Sequence, residues 1–336
     1  MAVETLGPSR GGHTAVILAA GALAWVALNG LAIVLSGGVL PFDRPALAGL
    51  PFVAQMALPS VGLIEIFLLM AIVHWLTRRR PVPDIAARAP ARALAARETA
   101  LTLTWAMLAQ IGGWLIAHAL GYRPFSFHLA GTLVGCSQPP SPGEAFLWAG
   151  YNFTAFAVIP YAWFRRRYSN TQLNLRSSAP RNDRLVIVVV ATIETLTELA
   201  AFPGVLKMTG PQFAMAGPLA FLLFGAGTVL PTMVLIYAIL IPRYFRLTGS
   251  FVATVLLGGA TYALMHLVEG WSNFSSLRDG GLSLIFVILT YVGPGMFKSF
   301  VTLRTGNAWV HAIAYHAIAP HVVVDAPLVA RVFAIR

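Results

Sequence analysis

Two glutamates stand one helical turn apart in ATIETLTELAAFPG, residues 191–204, within sequence apolar enough for a lipid bilayer. Glu194 and Glu198 are spaced i, i+4, so on a helix both carboxylates lie on one face. A carboxylate held in low dielectric can act as a base near neutral pH, and two close carboxylates can share one proton. Further along, TYALMHLVEGW carries His266 and Glu269, and NAWVHAIAYHAIAPHVVVDAP carries His311, His316, His321 and Asp325. His321 and Asp325 repeat the i, i+4 spacing. His311 and His316 are five residues apart, about 140° around a regular helix, which argues against a simple two-histidine clamp. Pro320, between His316 and His321, distorts the backbone there. Ionisable groups at membrane depth are costly, so their retention on three separate apolar segments points to a buried polar site. Such a site offers a buried carboxylate as a base, with histidines as its partners. One carboxylate and two histidines also match a zinc shell, so a divalent metal such as zinc is a candidate cofactor. No His-Glu-x-x-His helix is present, so a metalloprotease of that kind has no support.

The elements that must position these groups are membrane helices. Of 336 residues, 57% are hydrophobic and 10% charged, against about 25% charged in soluble domains. The expected fold is all-α, a polytopic transmembrane bundle of about eight to nine spans. Candidate spans are 14–36, 52–76, 99–121, 144–164, 185–203, 213–241, 251–270, 282–303 and 307–329. The first reads as a retained helix without a small-residue cleavage site. The stretch 39–58 reads as re-entrant or interfacial, and Pro218 and Pro231 predict a kinked sixth span. A polar connection at 170–184 divides a four-span region, 1–170, from a five-span region, 171–336, that carries the polar site.

The net charge of +11 does not signal nucleic acid. The arginines cluster at the ends of apolar runs: 78–80, 165–167, Arg176, Arg181, Arg184, Arg243, Arg246 and Arg304. That is the positive-inside pattern, and it predicts a cytoplasmic N-terminus and an external C-terminus, with Arg331 and Arg336 discordant. The expected location is the bacterial cytoplasmic membrane, and the expected partners are membrane lipid and a membrane-protein or peptide substrate. The linker 81–98 fits either a surface-lying helix or a plain basic connection. The single cysteine, Cys136, excludes an intramolecular disulfide. His74 and His118, near span ends, read as structural. Glu65, in mid-span without polar sequence neighbours, is expected to pair with another helix.

Over residues 185–325 the order and spacing of these groups resemble the CPBP family. That family comprises type II CAAX prenyl endopeptidases, bacteriocin-processing enzymes and abortive-infection membrane proteins. TELAAFPG (197–204) is similar to its glutamate-rich motif, usually Glu-Glu-x-x-x-Arg. YALMH (262–266) is similar to Phe-x-x-x-His, with Tyr262 for phenylalanine. RTGNAWVHAIAYHAIAPH (304–321) is similar to its C-terminal His-x-x-x-Asn motif. Aligned on Phe202 and Gly204, Glu198 takes the first glutamate, Leu199 the second and Pro203 the arginine. Aligned on Glu194, Thr195 and Leu199 take those places. In the third motif His316 matches and Pro320 stands for asparagine. The resemblance implies an intramembrane endopeptidase in which Glu198 or Glu194 activates water. His266 and His316 then orient it, bind the oxyanion or hold a metal, and Tyr262 and His321 contact substrate. The runner-up reading is a catalytically degenerate descendant, a membrane scaffold or partner-binding protein, which the missing arginine and asparagine also fit. A proton- or ion-coupled transporter is a third reading, against which stands the lack of an internal repeat.

Overall fold

The computed structural model describes residues 10–42, 44, 47, 49–127, 139–267 and 269–336, with the side chains of 10–13 excepted. Cys136 lies outside the described residues. Every regular element among those described is helical: α1 Arg10–Ser36, α2 Phe52–Thr77, α3 Arg92–Ala119, α4 Pro142–Asn152, α5 Ile159–Arg165 and α6 Pro180–Ala201. There follow α7 Gly210–Phe224, α8 Leu230–Thr232, α9 Ile241–Thr248, α10 Phe251–Leu264, α11 Leu277–Thr305, α12 Ala308–His311 and α13 Ala326–Val332.

Five of these stretches are long and apolar enough to cross a bilayer: Thr14–Ser36, α2, α3, the run Gly210–Thr248, and α11. Residues 308–332 make a sixth if the 48° bend before α13 lies within one span. The protein thus has the helices of an integral membrane protein. The remaining expected spans, 144–164, 185–203 and 251–270, fall outside that measure of length and hydropathy. α10 has 14 residues, about 21 Å of helix, against a hydrocarbon core of about 30 Å. α6 carries Arg181, Asp183, Arg184, Glu194 and Glu198, which lowers its hydropathy below that of a lipid-facing helix.

The second half of the run Gly210–Thr248 lies in the core. Every side chain from Met233 to Ile241 is buried, as befits a helix apolar all round. The kink expected from its prolines takes the form of π-helical turns, Gly225–Val229 and Met233–Leu240, on either side of Pro231. α10 approaches α11 through small residues. A Cβ added to Gly295 would lie 2.9 Å from the Cα of Gly259, so the two backbones nearly touch, as small residues permit in membrane bundles.

The basic clusters gather at one end of the bundle. Arg304 at the end of α11 donates to the Thr77 carbonyl at the end of α2, at 3.0 Å. Arg80 donates to the Thr305 carbonyl at 2.9 Å and to Asp183 in the first turn of α6 at 2.5 Å. Arg88 donates to the Gly306 carbonyl at 2.7 Å. Arg243 in α9 pairs with Glu98 in α3 at 2.8 Å. Of the expected forms for the linker 81–98, residues 81–91 are a connection and not a surface-lying helix. This connection makes one short turn, Ala86–Arg88, is pinned by Arg88, and enters α3 at Arg92. The stretch after α1 is folded into the bundle: Phe42 packs on Trp271 and Phe286 at 4.7 and 5.2 Å between ring centroids, and Arg44 is buried over the same two rings.

Candidate functional site

α6 lies against the π-helical stretch that follows α12, and between them and α10–α11 is a cavity of about 230 Å³. Its lining includes Glu194 and Glu198 from α6, Tyr262 from α10 and Lys298 from α11. His316, His321 and Asp325 come from the last segment, and Arg44 from the folded-in stretch before α2. The i, i+4 reading of the two glutamates therefore holds: both present to the same space. Glu194 is buried, and its Oε1 has no hydrogen-bond partner. Glu198 is half-buried and also borders an adjoining cavity of about 290 Å³, shared with Glu65 and Arg44. Glu65 thus faces α6, as a mid-span acid seeking another helix should. It meets a second carboxylate there, and Glu65, Glu194 and Glu198 interact electrostatically.

The last segment departs from the expected regular helix, and the departure builds the site. Ala312–Ala317 and Ala319–Val324 are π-helical. Hydrogen bonds of the i→i+5 kind widen the turn and bring residues five apart towards one face. His316 and His321, five apart, both reach the cavity, with ring centroids 5.3 Å from each other. The 140° spacing of a regular helix does not apply here.

Hydroxyl groups on two other elements orient His316. Its Nδ1 is 3.4 Å from Thr232 Oγ1, and its Nε2 is 3.3 Å from the Tyr262 hydroxyl. Thr232 donates its single proton to the Thr228 carbonyl at 2.8 Å, so towards His316 it can only accept. That assigns the proton of a neutral His316 to Nδ1 and makes Nε2 the acceptor from Tyr262. His321 is held differently. Its Nδ1 lies 3.0 Å from Asp325 Oδ2, and its ring stacks on Phe224 at 4.5 Å. The expected i, i+4 pair is formed, and a carboxylate on Nδ1 fixes both tautomer and ring orientation.

Two of the histidines lie elsewhere. α10 ends at Leu264, so His266 and Glu269 sit beyond the helix, not inside a seventh span reaching residue 270. His266 Nδ1 is 2.5 Å from the Tyr262 carbonyl, and its ring stacks on Tyr291 at 4.3 Å. It is not in the lining of the cavity. His311 is buried edge-on to Tyr237 at 4.2 Å, with no hydrogen-bond partner on either ring nitrogen. Among the described residues no three His, Cys, Asp or Glu side chains come together as a metal shell. The carboxylate-and-two-histidine zinc shell is therefore not assembled from them.

Sequence reasoning passed over Lys298 and Arg44. Lys298 is buried in α11 with its ammonium 3.7 Å from the centroid of the Tyr262 ring, a cation–π distance. Its signal was its place as one lysine within the apolar run YVGPGMFKSFVTL, residues 291–303. No family model, no curated protein and no solved structure matches this chain.

Proposed function

We propose that this cavity is the reaction chamber of an intramembrane endopeptidase of the CPBP type. One observation carries the reading: Glu194, Glu198, Tyr262 and His316, from three separate parts of the chain, line a single cavity. Glu198 is the base. It is less buried than Glu194 and borders both cavities, so water can reach it. It takes a proton from water as the water oxygen attacks the scissile carbonyl carbon, and returns that proton to the leaving amine when the C–N bond breaks. Glu194 shares its charge and proton with Glu198. Lys298, which lines the same cavity, donates to the developing oxyanion, standing in for the arginine that Pro203 replaces. His316, held by Thr232 and Tyr262, positions the carbonyl. Tyr262 and His321 contact the substrate, a membrane-protein or peptide segment entering from lipid. The basic end of the bundle faces the cytoplasm of a bacterial membrane, with α4–α5, α6 and α10 completing nine spans.

A second reading is a degenerate CPBP-fold scaffold. The position of His266 favours it: the ring is committed to the Tyr262 carbonyl and Tyr291 and does not line the cavity. The test is cleavage of a membrane-protein and peptide library by reconstituted protein, alongside its melting temperature. Glu198→Gln should lower the rate about a hundredfold or more at unchanged melting temperature. Absence of cleavage by the wild type across the library decides for the scaffold, and equal activity in wild type and Glu198→Gln removes Glu198 as the base.

A further inference from the structure

A second, separate cavity is not polar. It is a groove of about 460 Å³ between α3 and α5. Its walls run from Arg97 and Arg167 at one end to Trp105 and Ile159 at the other. The two helices are antiparallel here, so the arginines share the basic end of the bundle and the apolar side chains lead away from it. Leu101 and Trp163, midway, are more than half exposed. From Arg97 to Trp105 α3 rises about 12 Å. The groove therefore has a cationic mouth and an apolar length.

Three observations identify what fits it. First, no ion pair or side-chain hydrogen bond is formed by Arg97 or Arg167 among the described residues. Elsewhere at this end Arg80, Arg88, Arg243 and Arg304 are all engaged by protein groups. Second, the acid in the groove wall is already neutralised. Glu98 accepts from Arg243 at 2.8 Å and from the Tyr168 hydroxyl at 2.8 Å, so it does not repel an anion at the mouth. Third, tryptophans flank the apolar part, and Trp105 donates to the Ala155 carbonyl at 2.8 Å, which fixes that indole as the floor. Tryptophan is favoured where hydrocarbon meets headgroups.

We infer that this groove is a binding site for one anionic phospholipid, its phosphate between Arg97 and Arg167 and an acyl chain along Leu101, Trp163 and Trp105. Basic pockets between membrane helices at the positively charged side hold such headgroups. The site is separate from the polar cavity and does not depend on what that cavity does.

The experiment titrates detergent-solubilised full-length protein with dioleoyl phosphatidylglycerol and reads the rise in melting temperature. Dioleoyl phosphatidylcholine and glycerol phosphate serve as the comparison ligands. Phosphatidylglycerol should stabilise the protein at concentrations where neither comparison ligand does. Arg97→Ala/Arg167→Ala should raise the half-maximal concentration roughly thirtyfold, two interfacial cations being removed. Arg79→Ala/Arg246→Ala removes the same charge from exposed positions outside the groove and should leave the titration unchanged. Equal shifts with phosphatidylcholine would show an apolar groove without headgroup recognition and overturn the proposal. An equal shift with glycerol phosphate would show an anion site without the chain and overturn it too. So would equal weakening in the control pair, which would reduce the effect to net charge.

Discussion

Asp183 holds the basic end of the bundle together, and its removal should be among the most damaging single changes outside the cavity. Its Oδ1 accepts from Arg80 at 2.5 Å; its Oδ2 accepts from Ser177 at 2.6 Å and Asn307 at 2.9 Å. The side chains of Arg80 and Asp183 are only 6% and 5% exposed, so solvent screens the pair little and the figure for an exposed ion pair, below about 1 kcal/mol, does not apply. Breaking a buried pair by removing one member costs about 3–5 kcal/mol, because the other charge is left uncompensated. Two features set the position within that range. Arg80 keeps the Asn182 side chain at 3.0 Å and the Thr305 carbonyl at 2.9 Å, which pulls the cost down. The acid in the first turn of α6 is lost as well, which adds about 0.3–1 kcal/mol. We expect Asp183→Ala to cost about 3–4 kcal/mol in reversible unfolding from mixed micelles. In a cycle with Arg80→Met, the double variant should be less damaged than the sum of the singles by about 2 kcal/mol or more. Additivity within about 0.5 kcal/mol, or a single cost under about 1 kcal/mol, would refute the account of a buried and coupled clamp. The site should feel the loss. Asn307 caps α12, its Oδ1 accepting from the Trp309 amide at 3.2 Å, and α12 leads into the turns that place His316.

Two further outcomes follow from the packing. Gly295→Ala should lower stability by about 1–3 kcal/mol, since its Cβ would meet Tyr262 Cβ at 2.5 Å and Gly259 Cα at 2.9 Å, whereas Gly281→Ala on the same helix, with nothing within 4 Å, should be neutral or stabilising; equal effects in thermal unfolding would contradict the close approach of α10 and α11. His266→Ala should lower the melting temperature by removing the ring packed between Phe127 and Tyr291, and any cleavage should survive in proportion to folded protein; abolition of cleavage at full stability would place His266 in the chemistry.

How much of this was legible in the sequence depends on whether neighbours along the chain or across it do the positioning. The helical membrane class, the shared face of Glu194 and Glu198, and the His321–Asp325 pair were legible because each rests on composition or on contacts within one turn. The gathering of arginines at one end was legible too, since end-of-span charges mark the same side of every helix they terminate. Lys298 and Arg44 were not found. Nothing local says that a lysine in α11 will stack on Tyr262, or that a stretch following α1 will turn back to deliver an arginine. Of the eight to nine expected spans, five or six are long and apolar enough to cross by length and composition alone. α10 is shortened where the chain turns away at Met265, and α6 carries Asp183 and Glu194 into the interior, where hydropathy alone cannot follow it.

The π-helical turns are the deepest of these gaps, and they bear on function. A regular helix from Ala308 to Val324 would set His316 and His321 about 140° apart, so one of them would leave the cavity. The wider turn keeps both rings there, one hydrogen-bonded to hydroxyls of two other elements and the other to Asp325. It does so beside Pro320, which has no amide hydrogen to give to the ladder, at a point where a regular turn is already interrupted. Pro320 therefore has a structural role. It sits in the stretch whose irregularity turns two histidines into one face. A site assembled from irregular backbone on one side and from isolated buried charges on the other has no short motif to read. Its residues are joined by the packing of α6, α10 and α11, and that packing is set at the far end of the bundle by arginines and by Asp183, which touch none of the groups they position.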